Sequence, residues 1–129
     1  MTQIKIKRVY LPPEPSDGFR VLVDKLWPRG IRKENLPYDL WAKDVTPSTP
    51  LRQWFHVDPD ARWTDFKKRY LQELETSPAA REFAGRLERE KVVTLLYASK
   101  SPTQNHALIL QQFLEKSLEK TNKKGQMSS

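Results

Sequence analysis

Residues 17–34 read DGFRVLVDKLWPRGIRKE, an apolar strand that empties into a basic and aromatic loop. Asp17-Gly18 is a turn signal. The run Val21, Leu22, Val23 that follows lacks the polar alternation of a half-exposed strand, which predicts a strand covered on both faces. Asp24 ends it. Lys25, Trp27, Pro28, Arg29, Gly30, Arg32 and Lys33 then form a loop too charged to be buried and too rich in large side chains to be a plain linker. Two readings stand side by side: a ligand site, or a tryptophan that plugs the end of the core while the basic residues are solvated.

A second unalternated run, Val92-Val93-Thr94-Leu95-Leu96-Tyr97, predicts the other central strand. Beyond it, Ser101-Pro102-Thr103-Gln104 has the pattern of a capping box with proline at the first helical position, so the final helix is expected to start there. Its inward face is Ala107, Leu110, Phe113, Leu114 and Leu118. A first strand is expected around Ile4, Ile6, Val9 and Tyr10, stopped by Pro12, Pro13 and Pro15. The link from Leu11 to Gly18 is shorter than a parallel crossover, so the first two strands either pair antiparallel or lie apart in the sheet.

Between the two central strands the periodicity turns helical. Residues 35–44 are expected to form a short helix presenting Leu36, Leu40 and Trp41, and residues 51–55 a helical turn packing Trp54 and Phe55. Asp58-Pro59 is a cap and first turn. The helix it opens shows Trp63, Phe66, Tyr70 and Leu74 on one stripe, and Ser77-Pro78 opens another with Phe83 and Leu87 inside. The fold class is α/β: one compact domain over 1–120, with a small, mostly parallel sheet of about three strands flanked by four to five helices. Residues 121–129 are expected to be a disordered basic tail.

Composition sets bounds on function. A chain of 129 residues is long enough for one real core. With no cysteine there are no disulfides, thiolate metal sites or cysteine nucleophiles. No apolar run reaches membrane-spanning length, and the Met-Thr-Gln start has no secretory h-region, so a cytoplasmic protein with no membrane role is expected. The formal charge of +7 favours polyanions, anionic metabolites or acidic partners, although Lys116 to Lys124 supplies part of it. No GxGxxG or GxxxxGK[ST] is present, so no nucleotide cofactor is indicated. His56 and His106 lack the spacing of a metal pair, so no metal is expected.

Ligands of open α/β sheets settle at the carboxyl ends of the strands, beside helix N-termini. Two loops meet that condition, one after Asp24 and one over 97–106. A pocket between them would be lined by Asp24, Trp27, Arg29, Lys33, Tyr97, Ser99, Lys100, Asn105 and His106, with Arg52 joining the basic set. The expected function is binding of an anionic ligand, a phosphorylated metabolite or nucleic acid, with Arg29, Lys33, Arg52 and Lys100 as a charge clamp. A small acid/base enzyme using His106 and Asp24 is the alternative, weighed against a histidine that is only a hydrogen-bonded structural residue. A structural or protein-docking domain is the third reading.

Some residues point further. Lys7-Arg8-Val9-Tyr10, the stretch 17–34, Trp41, Lys43-Asp44, Thr46-Pro47-Ser48, Leu51-Arg52, Trp54-Phe55, Phe66, Arg69-Tyr70, Glu73-Leu74, VTLLYASK and Asn105-His106-Ala107 together resemble the DUF488 family, in its YeaO-like branch. The resemblance spans nearly the whole chain. It implies a compact cytoplasmic α/β domain of bacteria or archaea and brings no established activity. Related members carry a Cys-His-Arg triplet at the place of Asn105-His106-Ala107 and a cysteine near the position of Tyr97. Any thiol chemistry of theirs is therefore closed to this chain. A porphyrin-type methyltransferase label carried by some relatives does not fit, because the glycine-rich methyl-donor loop is missing.

Overall fold

Strand formation follows the apolar runs. The computed structural model describes the backbone of residues 2–127 and the side chains of 2–119. Strands β1 (Gln3–Arg8), β2 (Phe19–Leu22), β3 (Leu40–Trp41) and β4 (Val92–Tyr97) make one sheet in the order β1-β4-β2-β3, with every neighbouring pair parallel. The two unalternated runs are the interior strands. β1 and β2 lie apart with β4 between them and run parallel, so the short link from Arg8 to Phe19 is itself the crossover, made with only the 3-10 turn Pro15–Asp17. The turn at Gly18 sits at φ 64°, and a Cβ there would lie 2.4 Å from the Val92 carbonyl oxygen. Only glycine lets β2 start this close to β4.

Helices α1 (Thr49–Val57), α2 (Pro59–Thr76), α3 (Pro78–Leu87) and α4 (His106–Met127) complete the fold. Ser48, Asp58 and Ser77 cap the first three, each side-chain oxygen accepting a backbone N–H, with a proline in the first turn every time. Phe66, Tyr70 and Leu74 are buried as their spacing predicts, while Trp63 is only partly so. The described backbone of α4 continues to Met127. The tail expected over 121–129 lies outside the residues whose side chains are described.

Two expectations are corrected. Residues 35–44 are not a helix: Leu40 and Trp41 form β3, paired with Val21 and Leu22, and short 3-10 turns Lys33–Asn35 and Lys43–Val45 flank it. The sheet therefore has four strands rather than about three. The final helix begins at His106, not at Ser101. Asn105 Oδ1 accepts the Leu108 N–H at 3.0 Å as its cap, and Ser101 Oγ accepts the Gln104 N–H at 3.0 Å in a turn of its own.

The sheet's two faces differ in kind. Ile4, Val21, Val23, Val93, Leu95 and Tyr97 meet residues of all four helices in the main core. On the other face, Val9, Leu22, Leu36 and Leu96 form a smaller cluster, closed by Trp27, Ile31 and Trp41 from loops and the edge strand. Further along that second face, buried Asp17 pairs with Lys7 and Arg20, and Thr94 Oγ1 donates to the Asp17 carbonyl at 2.7 Å. Burial alone would raise the Asp17 pKa. The Glu14 backbone N–H, the hydrogen bonds from Lys7 and Arg20 and the Lys7 charge outweigh it, so the carboxyl lies below its ordinary value.

Candidate functional site

The loops after β2 and β4 meet at the carboxyl end of the sheet, and α1 and α2 close the space beside them. The result is a cavity of about 520 Å³, within the range of small-molecule sites. Of the residues predicted from sequence, Asp24, Trp27, Arg29, Arg52, Ser99, Asn105 and His106 line it. Arg29 and His106, from loops far apart in sequence, thus share one hollow. Lys33 sits exposed in the 3-10 turn Lys33–Asn35, Lys100 is exposed beyond β4, and Tyr97 is buried in the main core. None of these three lines the cavity. The charge clamp is reduced to Arg29 and Arg52, with Lys25 on the rim.

Several lining residues owe their position to bonds that tie the loops together. Asp24 Oδ2 accepts the Ala98 N–H at 2.8 Å, while Oδ1 lies 3.2 Å from His106 Nε2. That same Nε2 is 2.7 Å from the Val23 carbonyl oxygen. A carbonyl only accepts, so Nε2 carries a proton, and the tautomer that fits these contacts has Nδ1 as its accepting nitrogen. Trp41 Nε1 donates to the Asp24 carbonyl and Trp27 Nε1 to the Ile31 carbonyl, each at 2.7 Å, which holds the basic loop against the small cluster. Trp27 therefore does both of the things its sequence context allows: it plugs the cluster and lines the cavity. Asn105 is 2% exposed and has both ends of its amide engaged, with the Ser101 carbonyl and the Leu108 N–H.

Arg52 behaves differently. Among the described residues, its Nε is the one buried side-chain nitrogen or oxygen without a hydrogen-bond partner. Leaving such a donor unmet costs roughly 1–3 kcal/mol, and more when it is charged. The residue lies on α1, one turn before Phe55 and His56, which also line the cavity. The cavity floor is aromatic. Phe55 and Phe66 stack with centroids 4.2 Å apart and planes 24° from parallel, and Tyr10 stands at the mouth with its hydroxyl donating to the Arg29 carbonyl at 3.1 Å.

Among the lining residues that sequence reasoning missed are Tyr10, Phe55, His56 and Phe66. The aromatics on helical stripes read as core, and Phe55 and Phe66 are indeed core on one side. The available signal was Phe55-His56, an aromatic and a titratable residue three positions after an arginine on a short helix. No group of three or more His, Asp or Glu among the described residues is arranged to hold a metal ion, and no described helix is long and apolar enough to cross a membrane.

The sequence profile of DUF488-N3i, described as the "Inactive DUF488-N3 subclade", matches residues 3–129. The chain is 46% identical over 111 residues to "Uncharacterized protein YeaO" of Escherichia coli K12, covering 86% of this chain and 96% of that one. It is 42% identical over 113 residues to "Uncharacterized protein Mb3100c" of Mycobacterium bovis, covering 88% and 94%. No solved structure matches it. A profile that runs almost end to end, with relatives this similar over nearly their full length, places the chain in the DUF488 family, in the subclade DUF488-N3i.

Proposed function

We propose that this is a cytoplasmic binding domain for a small anionic ligand, held in the cavity between the Asp24 loop and α1. The observation that carries the reading is the pair of arginines, Arg29 and Arg52, that line one cavity, neither in an ion pair with a carboxylate among the described residues and with the Arg52 Nε left unpartnered beneath the surface. Two guanidiniums without a protein counter-charge at one cavity suit an anion, because a packing role alone is served better by an apolar side chain. A walled cavity of this size suits a small molecule better than a nucleic-acid strand, which needs an open basic track. The word "inactive" in the subclade's description also favours binding over turnover.

The test is calorimetry of the full chain against small carboxylates, phosphorylated metabolites and a single-stranded oligonucleotide, at low and high salt. Saturable one-site binding of a small anion is expected, weakened by salt and by Arg52→Gln about tenfold or more. If no anion binds at low salt, the reading fails. If only the oligonucleotide binds, the site is a nucleic-acid surface instead.

A second reading has one observation in its favour: His106 presents an accepting Nδ1 while Asp24 and the Val23 carbonyl steady its other nitrogen. Under that reading, His106→Gln abolishes a turnover found in a substrate screen. A detected activity that His106→Gln leaves untouched removes it.

A further inference from the structure

The hydrogen-bonding inventory of the cavity is lopsided. Its acceptors are largely engaged by the protein itself: both Asp24 oxygens, the Asn105 carbonyl, Ser99 Oγ with the Ser101 N–H, and the Ala98 and Ser99 main-chain carbonyls with Arg8. The groups left over are led by two cationic donors, the Arg29 and Arg52 guanidiniums, with the Gln104 amide, His56 and the accepting Nδ1 of His106 as the exceptions. A ligand rich in hydroxyls would bury donors with few acceptors to meet them, and each such donor weakens binding. A ligand that only accepts, at one charged end, is matched.

Much of the remaining lining is aromatic or aliphatic. The stacked Phe55 and Phe66, Trp27 and Leu26, which is 73% exposed, all line the cavity. Such a wall gains from a planar body by area burial and by offset or edge contact between rings. Resting on the anion-binding reading above, we infer that the ligand is a flat, hydroxyl-poor aromatic acid. Its anionic group, carboxylate or phosphoryl, lies against the part of the Arg52 guanidinium that lines the cavity, and its ring lies beside Phe55. An arginine fork presents two parallel N–H groups to two oxygens, which a lysine cannot copy.

The experiment is a calorimetric comparison of 2-naphthoate, naphthyl phosphate, acetate and ribose 5-phosphate on the full chain and on Arg52→Gln, Arg52→Lys and Lys33→Ala. One or both naphthyl acids should bind at least about tenfold tighter than acetate and ribose 5-phosphate, the better of them naming the head group. Both Arg52 variants should lose about tenfold or more, and Lys33→Ala, outside the cavity, should change nothing. If ribose 5-phosphate equals or exceeds the naphthyl acids and depends on Arg52, this inference is overturned while anion binding stands. Naphthyl acids that bind Arg52→Gln as well as the parent also overturn it, since the ring is then adhering elsewhere. If none of the four binds, both proposals fall.

Discussion

On one face of the sheet Ile4, Val21, Val93 and Leu95 lie under four helices, while on the other Leu22 and Leu96 share their surface with Lys7, Arg20 and Thr94 beneath loops. The difference is one of backbone. A helix satisfies its own N–H and C=O groups, so the helical face closes with apolar side chains and few polar ones. Loops do not, and their buried backbone must find partners. The loop face therefore carries indole N–H groups on carbonyls, Asp24 on the Ala98 N–H, and Asp39 Oδ2 on the Arg20 N–H at 2.8 Å. The cavity lies where that cover ends, and Arg52, reaching it from α1, is the donor for which no internal partner was supplied.

The largest expected effect breaks the polar end of the loop face. Asp17→Asn leaves Lys7 and Arg20 buried without their counter-charge, and loss of one partner from a buried ion cluster costs ~3–5 kcal/mol, measured by urea unfolding. The pH dependence has a defined sign. The Asp17 carboxyl lies below 3.8 in the folded chain, so the unfolded chain takes up the proton first. Its stabilisation is complete at neutral pH and is lost as pH falls below about 3.8 and through the folded value. In Asp17→Asn this part of the acid limb should be flat. An unchanged limb would mean that the cluster contributes no linkage.

Gly18→Ala comes next, because the new Cβ meets the Val92 backbone at 2.4 Å and the position has positive φ, a combination expected to cost ~2–3 kcal/mol. On the helical face, the matching probe is Tyr70→Phe. Tyr70 is buried, its hydroxyl donates to the Val45 carbonyl at 2.5 Å, and burial, then the Glu73 charge, push its pKa up, so it stays a donor at any working pH. Removing it leaves one carbonyl unmet, for a loss of ~1–2 kcal/mol in the urea midpoint. Arg52→Gln should instead hold the midpoint or raise it, since it relieves the unmet donor. A clear fall there would make Arg52 a structural residue and dissolve the contrast between cover and cavity.

How much of this was readable beforehand depends on which interaction decides each element. The central strands and helices α2 and α3 were readable, because Val21 to Val23, Val92 to Tyr97 and the caps at Asp58 and Ser77 are local signals, while α1 (Thr49–Val57) was read only as a turn over 51–55. β3 was not. Leu36 and Leu40 are spaced as on a helix, but pairing of Leu40 and Trp41 with Val21 and Leu22 decides the outcome, and pairing is not local. The Ser101 box was a true turn signal that the Asn105 cap four residues later displaced as the helix start. At the site, the two strand-end loops were found because fold class says where ligands sit. Lys33 and Lys100 were included because charge has no direction in a sequence, and Phe55 and Phe66 were left out because helical spacing does not say which side of an aromatic faces a cavity. Asp17, Lys7 and Arg20 had one signal, a charge inside an apolar strand, that marks a buried partner.

The smallest expected effect sharpens the contrast within the loops themselves. Gly30, at the tip of the basic loop, also has a positive φ, 78°, yet no atom lies within 4 Å of a Cβ placed there. Gly30→Ala therefore isolates the conformational part of the cost, ~1 kcal/mol, from the steric part that Gly18→Ala adds. In a thermal melt this amounts to ~4 °C, with a clearly larger fall for Gly18→Ala. Because Arg29 precedes Gly30, the same variant also reports on the site: a loop held by the Trp27 and Tyr10 hydrogen bonds keeps its anion affinity when its tip is strained. Equal losses for the two glycines would show that β2 can shift away from β4, and the close approach at Val92 would then not be what fixes the start of the strand on which the cavity is built.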